Sequence, residues 1–144
     1  MFLKLGGMGL LISSMIAIVA SPRADDAAVR QALKTLAGDW TVKSQSGDEV
    51  LYKFMGDKLE VTAPSRSYKM TVKIDPTARP EKTIDFQIDD GPDDAKGKTC
   101  KGIDKFGDDG HTFVFCFRGE GDRPDEYEQA GYEQILSTLK RKKP

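Results

Sequence analysis

The stretch Val50-Leu51-Tyr52-Lys53-Phe54-Met55-Gly56-Asp57-Lys58-Leu59-Glu60-Val61-Thr62 decides the fold class. Val50, Tyr52 and Phe54 alternate with Leu51 and Lys53, and Leu59 and Val61 alternate with Lys58, Glu60 and Thr62. A period of two belongs to a strand with one buried face. Gly56-Asp57 between the runs reads as a two-residue hairpin turn. In that register Phe54 faces Leu59 and Tyr52 faces Val61, so the hairpin has one apolar side.

The same beat runs in both directions from this hairpin. Downstream, Tyr68, Met70, Val72 and Ile74 alternate with Lys69, Thr71 and Lys73, and after the loop Asp75–Pro80 come Ile84, Phe86 and Ile88. Thr99–Phe106 and Thr112–Phe117 form a second hairpin around Gly107-Asp108-Asp109-Gly110, and Ile135–Lys140 is the last strand. Gly119–Gly131 is mostly polar, with a ninth, short strand left open near Glu126–Glu128. Upstream, Val29, Leu33 and Leu36 share one face of a short helix over Ala27–Leu36, capped by Asp25-Asp26 and stopped by Gly38. About eight strands on short connections read as a sandwich or a barrel. Consecutive hairpins favour up-and-down order, and closure removes exposed edges. The expectation is an all-β, small antiparallel up-and-down barrel of about eight strands behind a short N-terminal helix.

Composition narrows the function classes. The 144 residues hold 22 Lys+Arg against 23 Asp+Glu, a net charge of −1, with one His and two Cys. This length suits one domain. The even charge excludes a strongly basic nucleic-acid binder, and a single His excludes a multi-histidine metal site within one chain.

Residues 1–24 read as a signal peptide. Lys4 precedes a charge-free run from Leu5 to Val19 that includes Leu10-Leu11-Ile12 and Ile16-Ala17-Ile18-Val19. The run is short for a membrane span, which needs about 20 residues. Cleavage fits after Ala20 or Ala24, an uncleaved anchor being the competing reading. Residues 25–144 then form a single, exported, monomeric domain in the periplasm or outside the cell, with no integral membrane segment.

Gly38-Asp39-Trp40, after a short helix and at the start of the first strand, resembles the Gly-x-Trp signature of lipocalins. That resemblance implies a basic residue on the last strand covering the Trp40 ring, for which Arg141 and Lys140 are the candidates. From Leu36 to Arg141 the chain also resembles an uncharacterised family of small exported domains abundant in planctomycete bacteria. The matching pieces are Leu36-x-Gly38-x-Trp40, Gly56-Asp57-Lys58-Leu59, Asp75-Pro76-Thr77 with Pro80 and Ile84-Asp85, Gly97-Lys98-Thr99, Gly102-Ile103, Cys116-Phe117, Arg123-Pro124 and Leu139-Lys140-Arg141. Asp104, where the pattern has an aromatic, and Cys100 depart from it. The resemblance carries no catalytic residues.

Export permits a disulfide. If the second hairpin pivots on Asp108, Cys100 stands opposite Cys116, and Ile103 opposite Phe113 on the inner side. Opposed Cβ atoms lie about 4.5–5.5 Å apart, within reach of a bridge at a close pair. Such a bridge would contribute about 3 kcal/mol. A register slip of one residue would put the two cysteines on opposite faces, so two free thiols remain the alternative. The 15-residue gap is no Cys-x-x-Cys motif.

Asp89-Asp90-Gly91-Pro92-Asp93-Asp94 has the composition of a calcium loop but neither EF-hand spacing nor a bidentate Glu, and reads as a solvated acidic loop. Asp104, Asp108 and Asp109 read the same way, and His111 as a surface residue without a nucleophile. No cofactor or metal is expected. The candidate site is the apolar interior, with Tyr52, Phe54, Tyr68, Met70, Phe86, Phe113, Phe115 and Phe117 as possible cavity lining beside Trp40. Eight strands leave an interior just wide enough to be filled or to hold one small ligand. A connected cavity above roughly 300 Å³ favours a ligand, and a packed interior beside an apolar patch favours a protein partner. The expected function is an exported, non-enzymatic binding domain for an unidentified ligand, a small apolar molecule at the barrel mouth being one option. The alternative is a structural or protein-interaction module of the cell envelope, and an enzyme ranks third.

Overall fold

The computed structural model describes residues 26–44 and 46–142, so the signal peptide expected over residues 1–24 lies outside the described residues. Eight strands follow a helix, α1, over residues 26–36. They are β1 (Gly38–Lys43), β2 (Glu49–Met55), β3 (Lys58–Thr62), β4 (Ser67–Asp75), β5 (Lys82–Asp90), β6 (Thr99–Phe106), β7 (Thr112–Arg118) and β8 (Gln134–Arg141). Each pairs antiparallel with the next, and β8 returns to β1 to close the barrel. Among the described residues no helix is long and apolar enough to cross a membrane.

The first hairpin has the register its turn dictates. Tyr52 pairs with Val61 and Phe54 with Leu59, and Gly56 takes φ +59°, which a glycine adopts without a Cβ penalty. The alternating apolar residues then fill the lumen. Trp40, Phe54, Leu59, Ile84, Phe86, Phe113, Phe115 and Leu139 are buried in one cluster, with Tyr52, Tyr68, Met70 and Phe117 half-buried against it. Ala32 and Leu36 join that cluster, so α1 stops the barrel end at which β1 begins.

Four of the aromatics pack at tilted angles in the middle. Phe86 and Phe115 lie 5.2 Å apart between centroids, Phe106 and Phe113 4.8 Å, both within the favourable range for ring pairs. Trp40 is fixed from three sides. Its indole N–H donates to the Leu36 carbonyl at 2.8 Å, its face stacks under the Arg141 guanidinium at 4.1 Å, and its ring tilts against Phe113. Arg141 also donates to the carbonyls of Thr35 and Ala37 at the end of α1. One arginine therefore ties the helix, the first strand and the last strand together.

The second hairpin departs from the expected register. Its turn does not pivot on Asp108. The Asp109 carboxylate accepts from the His111 N–H at 2.8 Å and the Thr112 hydroxyl at 3.2 Å, while Gly107 N–H donates to Thr112 O at 2.7 Å. These bonds hold Asp108–His111 as a four-residue loop and set Phe106 opposite Phe113, Ile103 opposite Cys116 and Asp104 opposite Phe115. The slip is an odd number of residues, so the faces of β6 exchange. Cys100 and Asp104 turn inward, and Ile103 turns outward. The cysteines are thus on opposite faces, both buried and both free, and the expected Cys100–Cys116 bridge does not form.

Gly102 sits where β6 passes closest to its neighbours. A Cβ there would lie 2.7 Å from the Cys116 carbonyl oxygen and 3.0 Å from Phe117 Cβ. The ninth strand near Glu126–Glu128 is not formed. That stretch holds only the isolated bridge Ala130–Gln134 and instead crosses the outside of β7, where the Cys116 thiol donates to Glu128 O at 3.4 Å.

Candidate functional site: the open mouth

Of the four connections at the barrel end away from α1, the two longest are 91–98 between β5 and β6 and 119–133 between β7 and β8. Between them lies a cleft of about 460 Å³ lined by Ile88, Asp94, Ala95, Lys98, Cys100, Arg118, Gly119, Glu120, Tyr132 and Glu133. Ile88 and Cys100 come from inward positions of β5 and β6 and form its floor. Lys98 and Glu120, one from each loop, pair across it at 3.4 Å. This contact is exposed and contributes at most about 1 kcal/mol. Arg118 is held more loosely. Its guanidinium reaches Glu133 at 3.9 Å, and its buried Nε–H has no hydrogen-bond partner among the described residues. Tyr132, 93% exposed, stands on the rim.

Below the floor the lumen is almost full. The residues singled out in the sequence as cavity lining do converge, but the space enclosed by Tyr52, Leu59, Met70, Phe86, Cys100, Phe115 and Phe117 is only about 30 Å³. That is room for about one water molecule. Phe54 and Phe113 lie deeper, packed edge to face on each other, with Phe113 also against Trp40, rather than facing open space. Tyr68 is displaced to the rim, where its hydroxyl receives a long bond of 3.4 Å from Arg66. Burial, with the Tyr68 hydroxyl adding to it, pushes the Tyr52 phenol up to about 12, so it stays a neutral donor.

Cys100 belongs to both spaces, mouth cleft above and small void below. Burial raises its thiol above the ordinary value, with Lys98 pulling the other way. A thiol held protonated is a weak nucleophile. His111, the one histidine, lies exposed in the loop at the opposite end of the barrel. The acidic loop is occupied with its own backbone and neighbours: Asp89 accepts from Thr71 Oγ1 at 2.6 Å and Asp90 from the Gly91 N–H at 2.9 Å. Among the described residues no three His, Cys, Asp or Glu side chains gather as a metal site.

Two features escaped the sequence reading. The first is the strap formed by Arg123, whose guanidinium donates to the Asp85 carboxylate at 2.6 Å and to the Gly102 carbonyl at 2.7 Å. It pins the 119–133 loop across β5 and β6, which positions one wall of the cleft. Arg123-Pro124 and Ile84-Asp85 were both visible as sequence pieces, but 38 residues separate the partners. Arg123→Gln is expected to cost about 1–3 kcal/mol in urea unfolding, the range for a hydrogen-bonded charge pair. It should also speed amide exchange in residues 119–131. Unchanged exchange there would show that the loop is held by other contacts.

The second is Asp104, read as solvated and found only 2% exposed. Its Oδ2 has no hydrogen-bond partner among the described residues. Burial raises its carboxyl to about 7, against a smaller opposite pull from Lys82, its cross-strand neighbour.

Fold and site together define a closed eight-stranded up-and-down barrel with a helix at one end, a packed lumen and an open cleft at the other. No family model matches the chain, and no curated protein or solved structure matches it either.

Proposed function

We propose that this protein is an exported, non-enzymatic binding domain that takes a small molecule at the mouth of its barrel. The observation that carries the reading is the 460 Å³ cleft whose floor, Ile88 and Cys100, is the top of the apolar core. A void of 30 Å³ leaves no room for a ligand deeper in the lumen, so the ligand rests on the floor rather than inside the barrel. Its apolar part lies against Ile88 and Cys100, and its polar part faces Arg118 and Lys98. The exported character rests on the apolar N-terminal run, and the lipocalin-like character on Trp40 beneath Arg141.

Native mass spectrometry of the protein purified from its own host tests this reading. The expected result is a co-purifying small molecule that is lost from Gly119→Trp, in which the ring obstructs the cleft from its exposed wall while the melting temperature stays within a few degrees. A clean apo mass under gentle conditions would overturn it. One observation favours a protein-interaction module instead: Tyr132 projects almost fully into solvent on the rim, and tyrosines of this kind anchor protein interfaces.

A further inference from the structure

The lining of the mouth cleft says what kind of molecule suits it. Five of its ten lining residues are charged: Asp94, Lys98, Arg118, Glu120 and Glu133. Sites for apolar ligands are lined chiefly by hydrophobic and aromatic side chains with a small number of polar groups. Here the apolar floor is narrow, because Ile88 and Cys100 are only 6% and 8% exposed.

Four of the charges stand in loose pairs of opposite sign. Lys98 meets Glu120 at 3.4 Å, and Arg118 meets Glu133 at 3.9 Å, too long for a hydrogen bond. Both glutamates are exposed. An ammonium or guanidinium offers several donors and a carboxylate several acceptor positions, so one distant partner apiece leaves most of them open to a ligand.

Three ligand classes fit this lining poorly. An apolar chain strips water from the charges and returns no hydrogen bond. A strong anion meets Asp94, Glu120 and Glu133, and a strong cation meets Lys98 and Arg118. A hydroxyl both donates and accepts, so adjacent hydroxyls bridge a carboxylate and its cation without separating them.

Tyr132 supplies the other half of the match. Its ring lines the same cleft from the rim, and almost nothing in the fold covers it. The negative face of an aromatic ring attracts the positive edge of polarised C–H groups. A pyranose ring carries such C–H groups on its face and hydroxyls around its edge.

Building on the reading of this cleft as a small-molecule site, we propose that its ligand is a neutral saccharide. The sugar lies with its C–H face on Tyr132 and its hydroxyls between Lys98 and Glu120 and between Arg118 and Glu133. The cleft volume of about 460 Å³ lies within the ~300–1,000 Å³ of small-molecule sites.

NMR titration of the full exported chain with maltose, cellobiose, mannobiose and N,N′-diacetylchitobiose tests the proposal. Galacturonate, glucosamine and decanoate are the charged and amphiphilic controls. The expected result is saturable shifts at the amides of Lys98, Arg118, Glu120 and Tyr132 with at least one neutral disaccharide and with none of the controls. Added salt should change that affinity by less than about twofold, because a neutral ligand brings no charge to screen. Tyr132→Ala should weaken binding about tenfold, whereas Tyr132→Phe keeps the ring and should hold it within about threefold. Neither variant endangers the fold, since Tyr132 is exposed. Shifts from decanoate or galacturonate with silence from every neutral sugar would overturn the proposal and leave the cleft a small-molecule site. Sugar binding that is indifferent to Tyr132→Ala would overturn it too. Silence from all probes also overturns it, and joined to a clean apo mass from the host it removes the small-molecule reading as well.

Discussion

Asp104→Asn is expected to melt on the order of 10 °C higher than the wild-type protein at pH 8 and at nearly the same temperature at pH 4. The cause is a carboxyl group turned into the barrel, 2% exposed, with Oδ2 unpartnered among the described residues and its folded-state value raised to about 7 by burial. An acid raised in the folded state binds more protons folded than unfolded. Stability is therefore highest below the ordinary carboxylate value, is lost as pH rises from there to about 7, and levels off above. A shift of this size corresponds to roughly 3–4 kcal/mol, and each kcal/mol moves the melting temperature of a domain this size by about 3–4 °C. Asparagine keeps the shape and cannot ionise, so its profile stays flat through that window. Lys82→Met removes the opposing cation and should steepen the wild-type loss. Parallel profiles for Asp104→Asn and the wild-type protein would show that Asp104 does not titrate in this range.

Trp40→Ala is the second large effect, with an expected loss of about 3–5 kcal/mol, the range for truncating a buried aromatic. That is a large share of the roughly 5–15 kcal/mol that holds a domain folded. Beyond its core contacts, the substitution leaves the Leu36 carbonyl without its donor and Arg141 without a ring to stack on. Trp40→Phe keeps an aromatic face and loses the N–H, and should cost about 1–3 kcal/mol, as expected for a buried acceptor left unpaired. Urea unfolding of Trp40→Phe, Arg141→Met and the double variant separates the stacking from the packing. A coupling of about 0.5–2 kcal/mol is expected for the cation–π contact. Strict additivity would assign Arg141 its role through Thr35 and Ala37 alone.

The two hairpins show why some of this structure was legible in the sequence and some was not. At Gly56-Asp57 the turn has two residues, one of them a glycine at positive φ, and loop length alone set the register. At Gly107–His111 the loop length depends on whether the Asp109 side chain captures the His111 N–H. That single choice decided which face of β6 looks inward. The cysteine pairing and the inward reading of Ile103 failed together, because both rested on the same parity. The aromatic lining was visible, but its effect was not: alternation says which rings point inward, and only their mutual packing says that about 30 Å³ remains.

The sequence by itself determined the eight strands, their order, the helix before them, the inward set of aromatics and the Trp40 position, because alternation and tight turns are local properties written over a few neighbouring residues. Tertiary structure alone decided the parity of β6, the Arg123 strap to Asp85 and the cleft between the two mouth loops. Each of these joins groups far apart in the chain, and their energies depend on distances that exist only once the barrel has closed.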